Sequence, residues 1–150
     1  MIQRYYIDTS VIGGVFDDEF EEYSTILFEK IKLGQFIAVI SEVTENEILK
    51  AKKEIIDFFE SIPKGSIEYV EITQDAVQLA DAYITANVVG KTSRDDCLHI
   101  AIATINKVDI LVSWNFKHIV NINRIRAYNS VNIRLGYQQL EIRSPKEIVV

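Results

Sequence analysis

Tyr5-Tyr6-Ile7-Asp8-Thr9-Ser10 is a short apolar run that stops on a carboxylate and two hydroxyls. A buried strand that ends on Asp places that Asp at the edge of a sheet. In open α/β sheets, ligands are held just beyond the carboxyl ends of the strands. Asp8 therefore has two readings. It serves a ligand at that edge, or one of Asp8, Thr9 and Ser10 caps the helix that follows.

Outward from this stretch, strand-length and helix-length patterns alternate. Residues 2–7 read as the first strand, and Gly13-Gly14 loosens the chain after it. Phe20, Tyr23, Ile26, Leu27, Phe28 and Ile31 recur at helical spacing across 19–32, with Gly34 as a stop signal. Residues 36–40 are a continuous apolar run of strand length. Ser41 is a good N-cap for a helix from Glu42 to about Lys53, and a second helical piece reaches Ser61 ahead of Pro63-Lys64-Gly65. A third strand is expected over 67–72, a helix over 74–87 capped by Thr73, and a loop with Gly90 over 88–93. Residues 94–106 are helical and apolar on nearly all sides, so this helix belongs at the centre. Residues 110–113 read as a fourth strand, 114–118 as a loop at its carboxyl end, 119–130 as a helix and 139–142 as a last strand. This alternation implies an α/β fold, a three-layer sandwich with a parallel sheet of four to five strands between helices. Right-handed crossovers bring the carboxyl ends of such strands to one edge.

The chain has 150 residues, 48% hydrophobic and 25% charged, which fits one globular domain over 1–150. Its one cysteine, Cys97, allows no internal disulfide and reads as a small core residue. Neither a signal peptide nor a run of about 18 apolar residues is present, so a cytoplasmic protein without membrane spans is expected. The net charge of -6 argues against coating nucleic acid by bulk electrostatics. The charge is uneven: residues 1–90 carry 7 basic and 17 acidic side chains, while residues 91–150 carry 9 and 5.

Further polar groups gather at the same edge. On the helix from Glu42, the apolar face is defined by Val43, Ile48, Ala51 and Ile55, and Glu47 falls within it at 100° per residue. A carboxylate on a buried face needs a partner, an ion or a route to water. Asp95-Asp96 opens the central apolar helix. Acids there also suit the helix dipole, and Thr92 with Asp95 or Ser93 with Asp96 resembles a capping box. His99, one turn on, reads as a packed or hydrogen-bonded histidine. Asn115 lies two residues past the fourth strand, where it serves the site or stabilises a turn, and Lys117 and His118 follow it.

Taken in order, Tyr6-Ile7-Asp8-Thr9-Ser10, Ser41 with Glu47-Ile48-Leu49, Asp96-Cys97-Leu98-His99-Ile100-Ala101 and Leu111-Val112-Ser113-Trp114-Asn115 resemble the motifs of the PIN-domain ribonucleases. Within that superfamily the chain is most similar to the VapC-type toxins of toxin–antitoxin pairs, over nearly its whole length. The resemblance implies a metal-dependent endoribonuclease with a Mg²⁺ or Mn²⁺ ion held by Asp8, Glu47 and Asp96. Asn115 stands where many members have an acid, which removes one charge from any second metal position. The implied partners are an RNA substrate, a cognate antitoxin protein and a second copy of the chain.

The chemistry of these residue types agrees. Carboxylate oxygens suit Mg²⁺ or Mn²⁺, and no Cys/His cluster suits zinc. Three converging carboxylates repel one another unless a cation lies between them. Thr9 and Ser10 are placed to orient a ligating carboxylate or a water. Lys91, Arg94, Lys117, His118, Arg124 and Arg126 are candidates for holding RNA phosphates. Two rivals stand beside this reading. One is a phosphohydrolase with Asp8 as nucleophile, which usually has a second Asp two residues on, where this chain has Ser10. The other is a degenerate domain that binds RNA or a protein without cutting.

Overall fold

Alternate residues of each strand serve opposite faces of one sheet, and this parity builds both cores. The computed structural model describes residues 1–87 and 94–149. Five strands, β1 (Gln3–Ile7), β2 (Phe36–Ser41), β3 (Ile67–Val70), β4 (Ile110–Val112) and β5 (Ile142–Arg143), pair in the order β3-β2-β1-β4-β5. Every pairing is parallel. Tyr6, Val39, Leu111 and Ile142 point to one face, under α5 (Gln74–Thr85), α6 (Arg94–Ile105) and α7 (Ile122–Arg134). Tyr5, Ile7, Ala38, Ile40 and Val112 point to the other face. There they meet α1 (Thr9–Gly13), α2 (Glu21–Lys32) and α4 (Lys53–Ser61). The expected three-layer sandwich is thus present, with five strands. No helix among the described residues is long and apolar enough to cross a membrane.

The helix over 94–106 is central as expected: Cys97 through Thr104 are all buried. Ser41 caps α3 (Glu42–Leu49) through Thr44 N, and Thr73 caps α5 through Ala76 N, both as expected. Several boundaries differ. Gly13-Gly14 does not loosen the chain: both adopt right-handed helical angles, and the chain continues into a 3-10 turn, Gly14–Phe16. The reason is close approach rather than flexibility. A Cβ on Gly14 would lie 2.7 Å from Ser24 Oγ and 2.8 Å from Trp114 Nε1. The helix expected to run from Glu42 to about Lys53 stops at Leu49, and Lys52 is extended before α4 begins. The helix expected over 119–130 starts at Ile122, because Asn121 Oδ1 accepts from Asn123 N and Arg124 N. The last strand lies later than expected, at Ile142–Arg143, and a short α8 (Pro145–Val149) follows it. The loop expected over 88–93, with Thr92, Ser93 and Lys91, lies outside the described residues.

Candidate active site

Three parallel strands deliver polar residues to one edge: Asp8 directly after β1, Ser41 at the end of β2, and Ser113 directly after β4. Asp8 occupies the N-cap position of α1, yet its side chain makes no capping bond. Its Oδ2 instead accepts from Ser10 Oγ at 2.6 Å and Ser113 Oγ at 2.8 Å. The carboxylate is only 6% exposed. Its role as a cap is therefore excluded, and its burial is compensated by hydroxyls.

His99 rises from the middle of α6 into this cluster and is 1% exposed. Its Nε2 lies 2.6 Å from Glu47 Oε1 and 3.4 Å from Asp8 Oδ1, so one nitrogen serves both carboxylates. Its Nδ1 lies 2.6 Å from Tyr6 Oη, which is in turn 2.6 Å from Ser41 Oγ. Thr9 Oγ1 donates to Glu47 Oε1 at 3.0 Å. Burial disfavours charge on His99 most strongly. Tyr6, the Glu47 hydrogen bond and the negative charges of Asp8 and Glu47 together outweigh it, and hold the imidazole well above its ordinary range. Glu47 is affected in reverse. Half-burial works against its charge, but the hydrogen bonds from His99 and Thr9 and the cationic ring lower its pKa overall. A consistent proton assignment has both ring N–H groups donating, to Glu47 and to Tyr6, with Tyr6 Oη–H donating to Ser41.

Sequence alone does not place His99 in the site. Its signal was a lone imidazole inside a helix buried on every side, which must find polar partners. Thr9 and Ser10 each donate to one of the two carboxylates. Asn115 is half-buried. Its Oδ1 accepts from His118 N at 3.0 Å and its own N–H donates to Ser113 Oγ at 2.9 Å. Its amide oxygen is engaged in a turn beside the site.

The expected carboxylate triad is not closed around a common point. Among the described residues, no three His, Cys, Asp or Glu side chains stand where they could share an ion. Asp8 and Glu47 are brought together, but His99 lies between them. Asp96 is half-buried, and its charge, with that of Arg124, reaches Cys97 and Tyr128. Burial, then Asp96, pushes the Cys97 thiol up to about 11. Asp95 instead lines a depression of about 200 Å³ with Glu47, Asn46 and Lys50. The donors nevertheless suit a hard divalent cation in kind, being carboxylates and hydroxyls. The candidate phosphate contacts are scattered. Arg94 pairs with Asp81 at 3.7 Å, Lys117 is exposed, His118 and Arg124 are half-buried, and Arg126 lines a surface cavity along α7.

Fold and edge define an α/β sandwich, a parallel five-stranded sheet between helical layers with acidic residues at its carboxyl edge. Solved structures share this fold. One chain in the crystal structure of VapBC2 from Rickettsia felis, bound to a DNA fragment from their promoter, matches with a TM-score of 0.60 and 16% identity. The match covers 95% of this chain and 98% of that one. DNA-bound VapBC from Salmonella typhimurium matches with a TM-score of 0.59 and 13% identity, over 97% and 99%. FitAB bound to the IR36 DNA fragment matches with a TM-score of 0.59 and 13% identity, over 94% of each chain. At these identities the likeness is one of fold. No protein-family model matches the sequence, and no curated protein matches it.

Proposed function

We propose that this chain is a metal-dependent endoribonuclease and the toxin of a two-component pair. The observation that carries this reading is the convergence of Asp8 and Glu47 at the carboxyl edge of a sheet whose fold is shared with chains of toxin–antitoxin complexes. In this reading Asp8, Glu47 and Asp96 would hold a Mg²⁺ or Mn²⁺ ion. The ion would supply charge stabilisation for the phosphodiester and lower the pKa of a water nucleophile. The chain's own groups have separate tasks. Ser10 and Ser113 fix the Asp8 carboxylate, Thr9 fixes Glu47, and His99 holds the two acids at a set spacing against their mutual repulsion.

The test is cleavage of a structured RNA by purified protein with Mn²⁺ and with EDTA, together with copurification of the product of the adjacent reading frame. Cutting that requires Mn²⁺, and growth arrest relieved by the neighbour, are the expected results. The second reading, a domain that binds without cutting, is favoured by His99 lying between the carboxylates. RNA binding with no cleavage at any Mn²⁺ concentration would establish it.

A further inference from the structure

A cavity of about 260 Å³ opens between the start of α2, the segment after β4, and α8. Its walls are Glu19, Phe20, Tyr23, Trp114, Phe116 and Lys146. The rings are held in place from behind. Trp114 is 7% exposed, stacks on Phe20 with centroids 4.4 Å apart, and donates from Nε1 to Ser24 Oγ at 2.8 Å. Phe116 meets Trp114 edge-on at 6.1 Å, yet is itself 49% exposed. Other large apolar side chains of this chain are as exposed as Phe116, but Phe116 stands at the mouth of a cavity backed by two further rings that are fixed against each other.

The cavity is joined to the carboxylate site. Trp114 N donates to Ser10 Oγ at 3.0 Å, and Ser10 Oγ donates to Asp8 Oδ2. Its rim carries both a donor and an acceptor. Lys146 Nζ lies 5.7 Å from the Tyr23 ring centroid, and Glu19 is exposed. An aliphatic anchor from a protein would leave these two charges unmatched. A nucleobase offers a flat π face for the rings and an edge with hydrogen-bonding atoms for the charges.

We infer that this cavity is a stacking subsite for one unpaired nucleobase of the strand whose phosphodiester faces Asp8. The inference rests on the ribonuclease reading and adds to it an aromatic platform that takes one base of the strand.

Trp114 is the only tryptophan, so its emission reports directly on the cavity. The experiment titrates the full chain, in EDTA and at low salt, with a ten-nucleotide unpaired RNA and with the same backbone lacking its bases. Anisotropy of a labelled strand gives affinity alongside Trp114 quenching. The base-containing strand should quench Trp114 and bind roughly tenfold more tightly than the abasic one. Phe116→Ala should remove that advantage and Phe116→Tyr should restore it; circular dichroism checks that both variants fold. Equal binding of the two strands, no binding of either, or wild-type affinity in Phe116→Ala would overturn the proposal. So would quenching by a copurified protein partner with no response to bases, which would assign the cavity to protein. Cleavage in Mn²⁺ is scored separately, so the ribonuclease reading and the subsite can fail independently.

Discussion

The two ends of the sheet treat charge in opposite ways. At the amino end, Arg4 is matched group for group. Its guanidinium forks onto Glu68 at 2.9 and 2.6 Å and donates to the Asn106 carbonyl, while Asp109 exchanges bonds with the Arg4 backbone. At the carboxyl end, one buried imidazole is shared by Asp8 and Glu47. The first arrangement is a half-exposed, complementary pair of the kind that secures strands. The second buries more acid than the resident base balances, and structures keep such imbalance where chemistry is done.

The sharpest way to break this contrast is to remove the buried acid at the carboxyl end. Asp8→Asn keeps the size of the side chain and its acceptor for Ser10 and Ser113, so the fold should survive. Mn²⁺-dependent cleavage should fall by about a thousandfold, the several kcal/mol that such a cation supplies. Asp96→Asn should abolish cleavage as well, while Asp95→Asn keeps much of it. An RNA gel time course with Mn²⁺ calorimetry measures both. Full activity in Asp8→Asn would make the carboxyl edge as structural as the amino edge.

His99→Gln tests the same edge through stability. The amide leaves two carboxylates without a cation in a largely buried site, and breaking such a partnership costs several kcal/mol. Because the Glu47 side chain is 37% exposed, the low end applies, about 3 kcal/mol or roughly 6–12 °C in Tm. Calorimetric melting without metal gives the value. A loss under 1 kcal/mol would mean that His99 does not hold the two acids.

Asn115→Ala should have a smaller effect. It removes the Oδ1 acceptor for His118 N, about 1 kcal/mol of turn stability, and should lower cleavage by less than tenfold. Chemical denaturation and the same gel assay check this. A fall as deep as that of Asp8→Asn would show that Asn115 does more than hold the turn.

Much of the carboxyl edge was legible in sequence because strand parity and helix periodicity are local. The strand ending at Asp8 follows from spacing alone, whereas two of the residues that define the expected face of Glu47, Ala51 and Ile55, lie beyond the end of α3, and the Glu47 side chain is 37% exposed. What spacing does not carry is which polar groups meet across the sheet. His99 reaches Glu47 from 52 residues away, and Ser113 reaches Asp8 from 105. The need for glycine at position 14 was hidden for the same reason, since it depends on Ser24 and Trp114 lying within 3 Å of where its Cβ would be. Asp95 and Asp96 are adjacent and chemically identical, so composition cannot separate them. Their surroundings differ, with Asp95 on the Glu47 depression and Asp96 within reach of Tyr128.

The smallest effect is expected at the amino edge, and it fixes the baseline of the contrast. Arg4 and Glu68 are 28% and 38% exposed, so water screens their attraction. The fork geometry is good, but a pair this open contributes only about 0.5–1 kcal/mol. Its pH dependence has a definite sign. The Arg4 hydrogen bond is the largest influence on Glu68 and lowers its pKa below the ordinary 4.5. A group depressed in the folded state stabilises above its unfolded pKa, and that contribution is lost as pH falls through the folded value. Wild type should therefore lose this increment below about pH 4.5, whereas Arg4→Met should lack it at every pH. Urea melts of both proteins from pH 3 to 7 measure the difference. The two stability curves should be separated by up to about 1 kcal/mol at pH 7 and converge in acid. A separation of 3 kcal/mol would place Arg4 on a par with His99, and the two ends of the sheet would then differ in chemistry but not in their weight in the fold.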